Sequence, residues 1–210
     1  MSEQASRLMT ADEFLAWQAG QDELYEFVDG QPSAMAGAKI RHDRITTNAM
    51  TALRAGLRSA GSPCDVFSAD IAIRTGSSRF RRPDASVLCP PFDEEATSSD
   101  RPRLVLEVLS EGTESVDRLV KVGEYQALPG LDTILIVDPR RIEIGFWFRD
   151  AAGTWRAEVV RDVSAMIELP RLGVSLAVAA LYERVPIQQD AGPRLVWRDT
   201  PSANTGGKIA

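Results

Sequence analysis

Two stretches, RRPDASVLC at residues 81–89 and RLVLEVL at residues 103–109, decide the fold. Asp84 follows Pro83 directly, and DASVLC reads as a short apolar strand. RLVLEVL is apolar almost throughout, as in a central strand covered on both faces, so Glu107 within it needs a reason. A lone carboxylate buried there is costly unless it is paired. Carboxylates on neighbouring strands repel unless a cation or a proton lies between them, and a divalent ion resolves the conflict. The residues alone leave a second account open, in which Asp84 caps a turn and Glu107 pairs with a buried arginine.

Working outward, Thr10 and Glu13 have capping-box spacing, and Phe14 and Trp17 share one face, which predicts a helix to about Ala19. LYEFV at 24–28, the turn Asp29-Gly30 and a return strand over 31–36 make a hairpin. Ile45, Ala49, Leu53 and Leu57 recur every fourth position in a helix over about 39–59, ended by Gly61-Ser62-Pro63. CDVFSADIAIR at 64–74 alternates as one half-buried strand, followed by a polar, basic loop over 75–82. Downstream come a helix over 114–128, a buried strand over 133–137, a hairpin from 142–148 and 155–160, and a last short helix over 176–185. That order predicts an α/β or α+β class with a mixed sheet flanked by helices, α/β being the reading taken, in one domain over 1–185 with a flexible tail over 186–210.

Composition narrows the chemistry. The 210 residues contain one histidine, His42, and two cysteines, Cys64 and Cys89, too few for a zinc cluster or a disulfide framework. No apolar run approaches the roughly 18–20 residues of a membrane span, and the N-terminus lacks signal-peptide character, so a reduced, cytoplasmic protein is expected. Any metal would draw on the 30 Asp and Glu residues, and oxygen ligands favour Mg²⁺ or Mn²⁺. The net charge of −6 speaks against coating nucleic acid by charge alone, though not against one local basic surface.

Pro83-Asp84 followed by Glu107-Val108-Leu109 resembles the PD-(D/E)XK nuclease core, and the wider pattern is similar to the Uma2 family of restriction-endonuclease-like proteins. The stretches that carry the resemblance are MTADEFLAW, YEFVDGQPSAMAGAKIRHDRI, RRPDASVLC, LVLEVLSEGTESVDRLVKVGEYQALPGL and ILIVDP. The resemblance implies a restriction-endonuclease-like fold and an endonuclease of DNA in which Asp84, Glu107 and the Val108 carbonyl hold Mg²⁺ or Mn²⁺. It further implies Glu26 as an added metal or water ligand and His42 as a residue near the acidic cluster. The lysine of the superfamily pattern is replaced by Leu109, and Lys121 on the following helix is the substitute. Thr113, Asp117, Lys121 and Tyr125 are spaced by four, a drift of only about 40° per step, so Lys121 can point back to the glutamate strand. The other reading of Lys121 is an exposed pair with Asp117.

Asp70 is a further possible member of the metal shell or an outward strand residue. Arg74, Arg79, Arg81 and Arg82, or Lys39, Arg41 and Arg44, are positioned to grip phosphates or to solvate a loop and a helix. Trp147 and Trp155 read as packing residues. Cutting both strands of DNA would suit a homodimer. The rival classes are a catalytically silent interaction protein on the nuclease scaffold and a two-carboxylate glycosidase; the 7% aromatic content disfavours the latter's sugar cleft.

Overall fold

The strand that follows Asp84 and the strand that carries Glu107 pair side by side, antiparallel. The computed structural model describes residues 8–35, 37–110 and 115–188, with backbone alone over 115–118. Ala36, Thr113, the first residue of the predicted third helix and the tail beyond Gln188 lie outside the described residues.

The N-terminal unit is α1 (Ala11–Gln18), β1 (Tyr25–Val28) and β2 (Gln31–Ala34). Both halves of the predicted capping box are present on α1. Asp29 and Gly30 adopt φ of 49° and 87°, which the two-residue hairpin requires and glycine tolerates best. Phe14 stacks on Phe27 at 4.5 Å and on Phe80 at 5.7 Å, giving this unit its own small core.

The long helix is α2 (Ile40–Ser59), with Ile45, Ala49, Leu53 and Leu57 buried as their spacing predicts. A Cβ on its Gly56 would meet Val174 at 2.6 Å, so the glycine permits a close approach to the strand beneath. The stretch 64–74 is two strands, β3 (Asp65–Ser68) and β4 (Ala72–Gly76), in different sheets. Ser68 breaks it: its hydroxyl bonds Asp70, its carbonyl accepts from Ile71, and Arg82 donates to the carbonyls of Ala69 and Asp70. The basic loop is likewise ordered, with β5 (Arg79–Arg81) pairing back on β4.

Next come β6 (Ala85–Leu88), β7 (Ser98–Ser99), β8 (Pro102–Val108), α3 (Ser115–Gln126), β9 (Thr133–Val137), β10 (Ile144–Arg149) and β11 (Trp155–Val160). One sheet has the order β2-β1-β5-β4-β7, and the larger has β11-β10-β9-β8-β6-β3. The larger sheet is mixed, because β8 runs antiparallel to β6 and parallel to β9, with α3 as the crossover. Leu104, Leu106 and Val108 face the α2 side, whereas Val105, Ile134 and Ile136 pack with Tyr125 of α3. β8 is thus a central strand covered on both faces.

The predicted last helix over 176–185 is present as a shorter one, α4 (Val178–Leu181), and its first two predicted residues instead end the strand β13 (Val174–Ala177), which pairs with β12 (Met166–Leu169). The alternation of buried and exposed residues in β13 suits a strand over the α2 face. The cysteines, expected to be reduced, form a disulfide. The β3–β6 register pairs Asp65 with Leu88, so Cys64 and Cys89 fall directly opposite each other, Cα atoms 4.0 Å apart. Among the described residues no helix is long and apolar enough to cross a membrane.

Candidate active site

Asp84 lies just before β6 and Glu107 near the end of β8, and the register of Ala85 against Leu106 brings them to the same end of the sheet. Asp84 Oδ2 accepts from the Val108 N–H at 2.6 Å and lies 3.3 Å from His42 Nε2. Glu107 Oε1 accepts from the Tyr125 hydroxyl at 2.7 Å and lies 3.7 Å from Lys121 Nζ. Lys121 therefore does reach back to the glutamate strand, and its pairing is with Glu107 and Glu26. Glu26 Oε1 accepts from Lys121 Nζ at 2.8 Å and Oε2 from Arg81 at 2.9 Å. Glu26, His42, Asp84, Glu107, Val108 and Lys121 share one cleft of about 440 Å³, whose wall also includes Lys39, Arg41 and Arg140.

The electrostatics follow from burial. Glu107 is pushed up to about 7, first because burial penalises its charge and then because Asp84 and Glu26 add negative potential, against the opposing help of Lys121 and Tyr125. For Glu26, burial would raise the pKa, but Lys121 and Arg81 outweigh it and the net position is below the usual carboxylate range. Lys121 is held above its ordinary value: Glu107 and Glu26 overcome the burial that would lower it. His42 is also raised: its desolvation would lower it, but the bond and charge of Asp84, the Val108 main chain and the charge of Glu107 together outweigh that burial.

The raised Glu107 pKa makes a testable statement about the metal-free protein. Its folded value of about 7 lies above an unfolded value of about 4.3, so the folded chain holds a proton that the unfolded chain releases between them. The associated stability is full below the unfolded pKa and is lost as pH rises through about 7. With EDTA present, the wild type should lose on the order of 1–3 kcal/mol more stability than Glu107→Gln between pH 5 and 8.5. Urea unfolding at the two pH values measures the difference, and parallel losses would contradict the buried charge.

Several basic residues have structural work. Arg81 and Arg82 are buried, at 4% and 3% exposure, so neither grips phosphate from a solvated loop. Arg81 makes two bonds to Glu124, at 2.7 and 2.9 Å, and Arg82 straps the Tyr25, Ala69 and Asp70 carbonyls. Arg79 pairs with Asp29, and Arg74 lies over the Phe80 ring. Asp70 is exposed in its turn, bonded to Ser68, and does not line the cleft. Arg44 donates to the Arg184 carbonyl, whereas Lys39 and Arg41 remain on the cleft wall. Trp147 is buried and Trp155 bonds the Gln126 carbonyl, so both pack as expected.

Sequence reasoning missed Glu124, the clamping role of Arg81 and the hydroxyl of Tyr125. The available signal was their spacing: Glu124 and Tyr125 lie three and four residues after Lys121, on the same helix face. It also missed Asp138, fully buried after β9 and bonded to Arg140 of the cleft wall.

A mixed sheet with an aspartate just before one strand, a glutamate on the adjoining strand and a lysine from the next helix has a restriction-endonuclease-like fold. The chain belongs to the Uma2 family, described as "Putative restriction endonuclease", which it matches over residues 11–179. It is 32% identical over 176 residues to the uncharacterized protein slr1290 of Synechocystis sp., covering 83% of this chain and 91% of that one. A second Synechocystis protein, sll1609, also uncharacterized, is 29% identical over 137 residues, covering 63% and 76% of the two chains. In three dimensions the chain is similar to a putative nuclease of the DUF820 group from Anabaena variabilis, with a TM-score of 0.68. That likeness has 17% identity and covers 83% of this chain and 97% of the other.

Proposed function

We propose that this protein is a metal-dependent endodeoxyribonuclease that hydrolyses phosphodiester bonds in DNA. The observation that carries the reading is the placement of Asp84 and Glu107 at one end of adjoining strands, beside Lys121, in a cleft with basic residues on its wall. The donor set is two carboxylates plus the Val108 carbonyl, all hard oxygens, and burial disfavours the Glu107 anion in the absence of a cation. Among the described residues no group of three His, Cys, Asp or Glu side chains encloses a metal position. That suits Mg²⁺ or Mn²⁺, which commonly keep several waters and take one or two protein carboxylates, and does not suit zinc. When bound, the ion supplies positive charge against the scissile phosphate and activates water for attack.

The chain's own residues do the rest. Asp84 and Glu107 fix the ion, and His42 holds the Asp84 carboxylate from the α2 side. Lys121 offsets negative charge as it grows on the phosphate. Lys39, Arg41 and Arg140 contact the flanking phosphates, which positions the strand without reading its sequence. Cleavage of both strands would call for two copies of the site.

Calorimetric titration with MnCl₂, wild type against Glu107→Gln, tests the reading without any guess about the DNA sequence. Wild type should bind, and the variant should lose affinity by about 10–100-fold, since one of two anionic ligands is gone. Leu109 at the position of the superfamily lysine favours one alternative, the catalytically silent scaffold. Wild type that takes up no Mn²⁺, with or without an added oligonucleotide, would replace the nuclease reading by that one.

A further inference from the structure

We propose that Glu26 is a positioning residue for Lys121 and not a ligand of the metal ion. This rests on the metal-dependent reading above and assigns one of its acids a different task.

Both oxygens of Glu26 are already engaged. Oε1 accepts from Lys121 Nζ at 2.8 Å and from the Arg82 N–H at 3.3 Å, and Oε2 accepts from Arg81 at 2.9 Å. A carboxylate has roughly four acceptor positions, so little capacity remains for a cation. Turning Glu26 toward Asp84 and Glu107 would strip partners from two cations whose side chains are only 5% and 15% exposed, which burial makes costly.

The clamp that holds Glu26 is itself anchored. The β1–β5 register sets Phe27 opposite Phe80, which places Glu26 beside Arg81. Arg81 directs its planar fork to Glu124 with two bonds, at 2.7 and 2.9 Å, and uses its remaining nitrogen on Glu26. Glu124 lies one helical turn after Lys121 on α3. The result is a closed ring, Lys121–Glu26–Arg81–Glu124, that returns to the helix it started from. Its mechanical effect is to fix the Lys121 ammonium 3.7 Å from Glu107. Lys121 has four rotatable side-chain bonds, and among the described residues the longer contact to Glu107 would be what remains to orient it without Glu26.

The test uses the full chain in two assays: calorimetry with MnCl₂, and steady-state cleavage of supercoiled plasmid in Mn²⁺. Glu26→Gln should keep Mn²⁺ affinity within about two-fold while kcat falls on the order of 10–100-fold with KM unchanged. Adding Glu26→Gln to Lys121→Met should bring no further loss, because the acid acts through the lysine. If Glu26→Gln does not fold by circular dichroism, Arg81→Lys takes its place: it keeps the charge, loses the fork, and should lower kcat without changing Mn²⁺ affinity. A fall in Mn²⁺ affinity like that of Glu107→Gln would make Glu26 a ligand and overturn the inference. So would unchanged kcat, or losses that add in the double variant. Wild type that neither binds Mn²⁺ nor cuts the plasmid overturns the underlying metal-dependent reading instead, before any variant is compared.

Discussion

Asp84→Ala should lower Mn²⁺-dependent cleavage of plasmid DNA by about three orders of magnitude or more, while the protein remains folded. The carboxylate is one of two acidic metal ligands in the proposed site, and among the described residues the nearby acids are already engaged: Glu26 is bonded to Lys121 and Arg81, and Glu124 to Arg81. The fold should survive because Asp84 precedes β6 and its side chain lies in the cleft, whereas the sheet is held by Ala85, Val87, Leu104 and Leu106 in the core behind it. The stability cost is that of the Val108 N–H and His42 contacts, on the order of 1–3 kcal/mol. Asp84→Asn separates the two effects. It keeps an acceptor for the Val108 N–H, so most of the stability should return, yet it removes the anion, so cleavage should stay down. Agarose-gel nicking assays beside thermal melts measure both quantities. Cleavage at the wild-type rate in either variant would remove Asp84 from the mechanism.

The elements legible in the sequence are those specified by local pattern. Thr10 and Glu13 announce a helix start whose bonds lie within one turn, and the stripe from Ile45 to Leu57 can only bury as a helix face. Glu107 was legible as a problem, because one acid in an apolar strand contradicts its surroundings. Its solution lies far along the chain. Arg81 reads as one more charge in a basic loop, and only the fold reveals that two acids, 43 and 55 residues away in sequence, draw it inside. Residues 64–74 alternate as one strand, but the break after Ser68 depends on Arg82 reaching the Ala69 and Asp70 carbonyls, a tertiary contact that periodicity does not carry. The cysteines follow the same logic: 25 residues apart, they become partners only through the β3–β6 register. Likewise, Leu176–Val185 has the apolar content of a short helix, but its first two residues end β13, whose pairing with β12 and whose Val174 contact with Gly56 of α2 lie outside the stretch. In each case the deciding interaction spans elements, so the sequence near the residue contains no trace of it.

Asp138→Ala should be the most destabilising change at the edge of the site, at about 3 kcal/mol by urea unfolding, with no residue of the proposed metal site altered. Asp138 is fully buried at the end of β9, one residue past the pairing of Val137 with Val108. Its carboxylate accepts from Arg140 three times, from the main-chain N–H at 2.8 Å and the guanidinium at 3.1 and 3.2 Å, and Arg141 approaches at 3.3 Å. Its main chain bonds Glu143 and the Tyr182 hydroxyl. Alanine would keep those main-chain bonds and leave two guanidiniums, 29% and 13% exposed, beside a cavity where their shared acid had been. Partial exposure of Arg140 lets water recover some of the cost, which sets the expectation at the low end of the range for breaking a buried pair. Asp100, paired with Arg101 at 3.8 Å and 70% exposed, is the control: Asp100→Ala should change stability by less than about 1 kcal/mol. The functional consequence follows from where Arg140 sits. Asp138 supplies two of the bonds that hold its guanidinium on the cleft wall, so KM for plasmid should rise in Asp138→Ala while Mn²⁺ affinity stays at the wild-type level. A stability loss no larger than that of Asp100→Ala would mean that main-chain bonds alone hold the end of β9, and that the Asp138 carboxylate is not what places Arg140 in the cleft.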